Sequence, residues 1–449
     1  MLDARPLADW VARLRYEDLP HVVVSQAKRL MLDTLSVGWA GSNAGGVTAV
    51  RQLALAQGGA AESALWAHGD RVPAAQAALV NGMMGAALDF DSVHDEATVH
   101  ADVVVLPAVL ALAERERLSG REFLAAYVAG DEMLVRLGLA IRTHPGWFYT
   151  SVLGVFAAAA ASARALKLDA AGVRTAMGIA LSRAAGTQQA LVERSLTKRM
   201  QSAFAARDGV ECSLLAQAGI SSPAEAFGGR CGFEALYTGL DEAVVLGGLG
   251  SEYRFPALTL KKYASCFCNH AAIEATLELV QRHGLKAGDV QQASVRLSPF
   301  MARLVGAPFA PGDNPQVAAQ FSVQYSVANV LLRGRFAVDD IQPAAVIDAE
   351  VGTLARRVQM ETDPANEGKF VPATVTVKTR EGREFSATAT ELPGTPGRPM
   401  TDAELRDKAM ACLCGGARPM QTDAAGRLID TIDRLENLSD MNHLWGARP

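Results

Sequence analysis

Ser151-Val-Leu-Gly-Val-Phe-Ala-Ala-Ala-Ala-Ala-Ser-Ala163, closed by Arg164, is the stretch whose reading decides the fold. The run is apolar but poor in Leu and Ile, and shorter than the about 20 residues that cross a bilayer. Alanine has the best intrinsic helix propensity, and its small side chain lets helix axes approach closely. The stretch therefore predicts a buried helix packed against other helices, not a membrane anchor. Outward from it the same texture recurs. Helices are predicted from Leu30-Met-Leu-Asp-Thr-Leu35 to a stop at Gly38 or Gly41, and over 73–88, 107–118, 122–141, 151–168, 170–185 and 197–219. No clear strands intervene, so an all-α domain is expected up to residue 261.

After Lys261 the pattern changes. Residues 290–297 read as a strand. Ala373-Thr-Val-Thr-Val-Lys-Thr379, a turn at Arg380-Glu-Gly-Arg383, and Glu384-Phe-Ser-Ala-Thr-Ala-Thr390 alternate with period two and predict a hairpin. Pro393, Pro396 and Pro399 then break the chain, and Thr401 with Glu404 predicts a capping box opening a helix to about Cys412. The expected fold class is mainly α: an all-helical domain (1–261), an inserted smaller α+β lid (262–394), and a helical return (395–449) packing on the first domain.

Composition narrows the function. At 449 residues, with 49% apolar and 20% charged residues, the chain is an ordinary globular one of a size that favours two domains. A formal charge of −5 offers no net basic field for nucleic acid or an anionic membrane. Met1-Leu-Asp-Ala-Arg5 lacks the pattern of a secretory signal. The six cysteines form no CxxC pair, which argues against zinc ribbons and thioredoxin-like motifs and fits reduced thiols in the cytoplasm. No Walker A, HExxH or GxSxG motif is present. Gly247-Gly-Leu-Gly250 fails as a nucleotide fingerprint, because Tyr253 stands where the third glycine belongs and Pro256 follows.

Four segments carry chemistry. Leu88-Asp-Phe-Asp91-Ser-Val-His94, followed by His100, places carboxylates and imidazoles where a helix gives way to a loop. Such groups can ligate a metal, form a His oriented by an Asp, or merely be solvated. Thr197-Lys198-Arg-Met200 puts a lysine beside small residues, either on the surface or aimed into a cleft. Lys261-Lys-Tyr-Ala-Ser-Cys266-Phe-Cys-Asn-His270 spans the proposed domain junction, as a linker or a site wall. Gln320-Phe-Ser-Val-Gln-Tyr325 precedes an apolar helix, and alone Tyr325 reads as a core or interface aromatic.

Taken in order, these segments resemble the MmgE/PrpD family, whose members include 2-methylcitrate dehydratase, cis-aconitate decarboxylase and iminodisuccinate epimerase. Leu32-Asp-Thr-Leu35, Asn81-Gly82, Leu106-Pro-Ala108, Thr150-Ser151-x-Leu153-Gly154 and Gly232-Phe233 join the pattern, which covers essentially the whole chain. The resemblance implies a homodimer acting on a di- or tricarboxylate without a metal or nucleotide cofactor. It places Asp91, His100, Lys198 and Tyr325 among the active-site groups, with Lys261, Cys266, His270 and Thr150 lining the site; whether Cys266 or His270 faces the substrate stays open. The family's histidines are replaced here by Ala86, Phe148 and Gln201, with Tyr149 next to the second and His144 four residues before it. Three readings follow. One is a lyase, dehydratase or decarboxylase, moving a proton at a carbon beside a carboxylate. The second is an epimerase with Lys198 and Tyr149 on opposite faces of that carbon. The third, motivated by the missing histidines, is a silent carboxylate-binding relative.

Overall fold

The structure, a computed structural model, describes residues 1–446. It is mainly helical, with a smaller α+β part toward the C-terminus. In the first part, α1 (His21–Ala40), α2 (Ala74–Ala86), α3 (Asp102–Arg115), α4 (Gly120–Leu139), α5 (Gly154–Ala165) and α6 (Thr197–Gln217) pack around one another. The alanine run is α5, and Ala157 to Ala161 are fully buried.

Small residues are needed because α6 touches two helices almost backbone to backbone. A Cβ on Gly82 of α2 would lie 3.0 Å from Ala203 Cα of α6, and one on Gly209 of α6 would lie 2.4 Å from Ala158 Cβ of α5. Gly209→Ala must push these helices apart. It should lower the unfolding free energy by about 1–3 kcal/mol in chemical denaturation, the usual penalty of overpacking. An unchanged midpoint would contradict this close packing.

Helix ends depart from expectation in instructive ways. α1 runs through Gly38, whose missing Cβ makes room for the Trp66 ring at 2.8 Å, and the helix ends at Gly41 instead. α3 starts at Asp102, so Pro107 lies inside it, at the cost of the one hydrogen bond its N–H would have given Val103. The expected 151–168 helix is split at Leu153 into a Tyr149–Val152 turn and α5. A two-residue pair, β1 (Ser63–Ala64) and β2 (Arg71–Val72), adds a small antiparallel ribbon to the helical part.

The second part carries a four-stranded sheet. The predicted strand is β3 (Val290–Leu297), and the predicted hairpin is β5 (Ala373–Thr379) and β6 (Glu384–Ala389), paired antiparallel from Ala373↔Ala389 to Lys378↔Glu384. Gly382, at φ +81°, supplies the left-handed residue of the turn. β4 (Val358–Thr362) has no counterpart in the sequence reading; it pairs parallel to β3 at the sheet edge, giving the order β4-β3-β5-β6. α7 (His270–His283) covers the sheet, and α8 (Val323–Arg333) packs against α7. The chain then returns. α9 (Asp402–Leu413) opens with the Thr401–Glu404 capping box and packs on α1. Among the described residues no helix is long and apolar enough to cross a membrane.

Candidate active site

The loop between α2 and α3 meets the second part of the chain at its first residues. Asp89 adopts a left-handed backbone, φ +49°, and both Asp89 and Asp91 are buried. Asp91 Oδ2 lies 2.9 Å from His100 Nδ1, which is also 2.8 Å from the Ser92 carbonyl oxygen. Both partners are acceptors, so Nδ1 carries the hydrogen and Nε2 is left to take or give a proton. The Ser92 hydroxyl in turn donates to buried Asp102, as does the Tyr127 hydroxyl. Thr150 Oγ1 accepts from the His100 amide at 3.1 Å. The imidazole is thereby fixed from its backbone outward.

Two ammonium groups converge on the second carboxylate. Lys198, in the first turn of α6, pairs with Asp89 Oδ1. Lys261, only 1% exposed, lies 3.4 Å from Asp89 Oδ2 and donates to the Asp89 carbonyl at 2.8 Å. Burial alone would raise the Asp89 carboxyl, but Lys198 and Lys261 hold it far below the ordinary range. Burial likewise opposes ionisation of Asp91, and His100 and Lys261 overcome it. Lys261 stays charged against its own burial because Asp89 and Asp91 face it. The cluster thus holds two fixed cations, a shared anion and a histidine whose Nε2 is left for proton transfer. Such an arrangement can bind a carboxylate, stabilise charge growing on it, and shuttle a proton.

Because Asp89 is depressed, the stability it confers is fully present above its unfolded value near 3.8 and lost as the pH falls through the folded one. Asp89→Asn should therefore unfold at a lower temperature than wild type at pH 7, with the gap narrowing below about pH 4. A gap constant down to pH 3 would show that Asp89 ionisation does not matter to the fold.

The remaining candidates are placed as follows. Cys266 is partly exposed beside Lys261, and hydrogen bonding from the Cys268 thiol, against burial, lowers its own. His270 is fully buried against the rings of Tyr263 and Phe267. Burial and then Lys261 push it down to about 3, so it stays neutral. Of the two, Cys266 is the one with accessible surface. The Tyr149 hydroxyl donates to the Thr143 carbonyl at 2.9 Å, and its ring meets that of His144 edge-on. Gln201 Oε1 accepts from the Thr187 amide at 2.7 Å, tying down that loop. Tyr325 makes none of the contacts above: it is fully buried in α8, its ring on Phe309 and its hydroxyl on the Asp340 carbonyl. Gln320, five residues earlier, joins the two parts of the chain, donating to the Ala87 carbonyl at 3.0 Å. Among the described residues no group of three or more His, Cys, Asp or Glu is placed to hold a metal ion.

Asp89 is the contributor the sequence reading did not single out, although it lies two residues before Asp91 in the same motif.

The sequence matches two models of a known family. The MmgE/PrpD N-terminal domain model matches residues 5–245 and the C-terminal domain model residues 263–433. The chain belongs to the MmgE/PrpD family. A cis-aconitate decarboxylase-like protein of Aspergillus oryzae is 28% identical over 98% of this chain and 95% of its own length. The human cis-aconitate decarboxylase is 26% identical over 96% of this chain and 91% of its own. A 2-methylcitrate dehydratase of Salmonella typhimurium is 26% identical over 37% of this chain and 36% of its own.

Proposed function

We propose that this chain is a lyase that removes carbon dioxide from an unsaturated tricarboxylate of the cis-aconitate kind. The observation that carries the reading is Asp89 holding Lys198 and Lys261 beside the His100–Asp91 pair. The near full-length similarity to decarboxylases favours loss of carbon dioxide over loss of water. In this reading the Lys198 ammonium group binds a substrate carboxylate, and buried Lys261 adds its positive charge from behind Asp89. When the C–C bond breaks, its electron pair stays on the substrate, spreads toward a neighbouring carboxylate, and is stabilised there by the same cations. His100, protonated at both nitrogens and steadied by Asp91, delivers a proton from Nε2 to carbon, and solvent restores it. No bound metal or nucleotide enters these steps, and the working unit is a homodimer in the cytoplasm.

The epimerase reading needs the Tyr149 hydroxyl facing Lys198 across the substrate, whereas that hydroxyl is engaged with Thr143. The test is a panel of di- and tricarboxylates followed by thermal shift and proton NMR. The proposal expects cis-aconitate to stabilise the protein and to lose carbon dioxide. It fails if cis-aconitate neither binds nor is consumed.

A further inference from the structure

We propose that Lys408 is a positioning residue for this site: one ammonium group that fastens together the two backbone segments presenting Asp89 and Lys261. The inference rests on the reading of that cluster as the reaction site. Lys408 comes from α9, in the C-terminal return, and its side chain is 7% exposed. Its Nζ donates to the Lys261 carbonyl at 2.7 Å and to the Phe90 carbonyl at 3.2 Å, and pairs with Asp33 Oδ1 of α1 at 2.6 Å. It also sits 3.7 Å from the centre of the Phe90 ring. The two carbonyls are its hydrogen-bond acceptors, and Asp33 adds an ion pair.

The two carbonyls are not arbitrary. Phe90 directly follows Asp89, whose backbone turns through the left-handed region at φ +49°. Lys261 Nζ holds the Asp89 carbonyl, and Lys408 Nζ holds the next carbonyl along the chain. Lys408 also fixes the Lys261 backbone from which that ammonium group extends. It touches neither Asp89 nor Lys198, so its effect on chemistry passes through the placement of both.

A purely structural alternative is that Lys408 exists to neutralise fully buried Asp33. A buried ion pair can often be replaced as a pair without loss of stability, whereas removing one partner is strongly destabilising. This separates the two roles. Lys408→Met alone should lower the unfolding temperature. The double variant Asp33→Asn/Lys408→Met should recover most of it, yet still turn over cis-aconitate about 10–100-fold more slowly, the scale expected of a slightly misplaced catalytic group. The loss should fall on kcat more than on KM. Hydrogen exchange, which needs no substrate, should rise in peptides covering 88–92 and 260–262 in both variants. The proposal is overturned if the double variant regains wild-type kcat, or if exchange in those peptides is unchanged. If wild type is itself silent toward cis-aconitate while exchange still rises, the assigned reaction fails and the positioning role stands.

Discussion

Lys198→Ala should fold normally and lose turnover by roughly two to four orders of magnitude, the scale of a positioned charge or acid–base group. The fold survives because Asp89 keeps Lys261 as a partner, so no buried charge is stranded. The rate falls because Lys198 is the more accessible of the two amines, its side chain 13% exposed against 1% for Lys261. It is therefore the cation that substrate meets first. His100→Ala should lose a similar factor, since it removes the nitrogen that Asp91 and Ser92 orient. Steady-state kinetics beside a circular-dichroism melt measure both effects. A Lys198→Ala enzyme with wild-type kcat would remove the amine from the mechanism.

Lys261→Met should behave differently, losing stability as well as activity. Lys261 is buried, donates to the Asp89 carbonyl and stands against Asp89 and Asp91. Its removal leaves Asp91, whose Oδ1 has no hydrogen-bond partner, with His100 as its nearest counterion. Losing one partner of a buried charge cluster costs about 3–5 kcal/mol. Urea denaturation of Lys261→Met should show that drop, while Lys198→Ala shows a much smaller one. Equal destabilisation of the two variants would mean that the lysines are interchangeable, against the difference in their burial.

The fold was legible wherever local signals agree with the final packing. The β5–β6 hairpin combines period-two alternation with a glycine at the turn, and the alanine run of α5 announces tight helix contact. β4 was not legible, because five residues at a sheet edge with a mostly exposed pattern have no apolar stripe to read. Pro107 misled because proline is commonest in a first turn, whereas here the buried valines before it extend α3 back to Asp102. At the site, the family resemblance named Asp91, His100 and Lys198, whereas spacing alone left the loop ambiguous and favoured the surface for Lys198; the structure pairs Asp91 with His100 and Lys198 with Asp89. Asp89 could not be ranked above Asp91 until its contacts with two lysines were visible. Lys408 reaches the site from the other end of the chain, and no spacing rule encodes such convergence. Tyr325, assigned to the active site by the family resemblance although its type and setting alone read as core, packs its ring on Phe309 and gives its hydroxyl to the Asp340 carbonyl.

The central claim is that the groups around Asp89 and His100 move a proton to a substrate carbon. Proton NMR of cis-aconitate turnover in D2O tests it most directly. The account predicts a decarboxylated product carrying one solvent deuteron at the carbon that gains hydrogen, formed by wild type and at least a hundredfold more slowly by His100→Ala, as the loss of a positioned acid implies. Product formed at the wild-type rate by His100→Ala would contradict it.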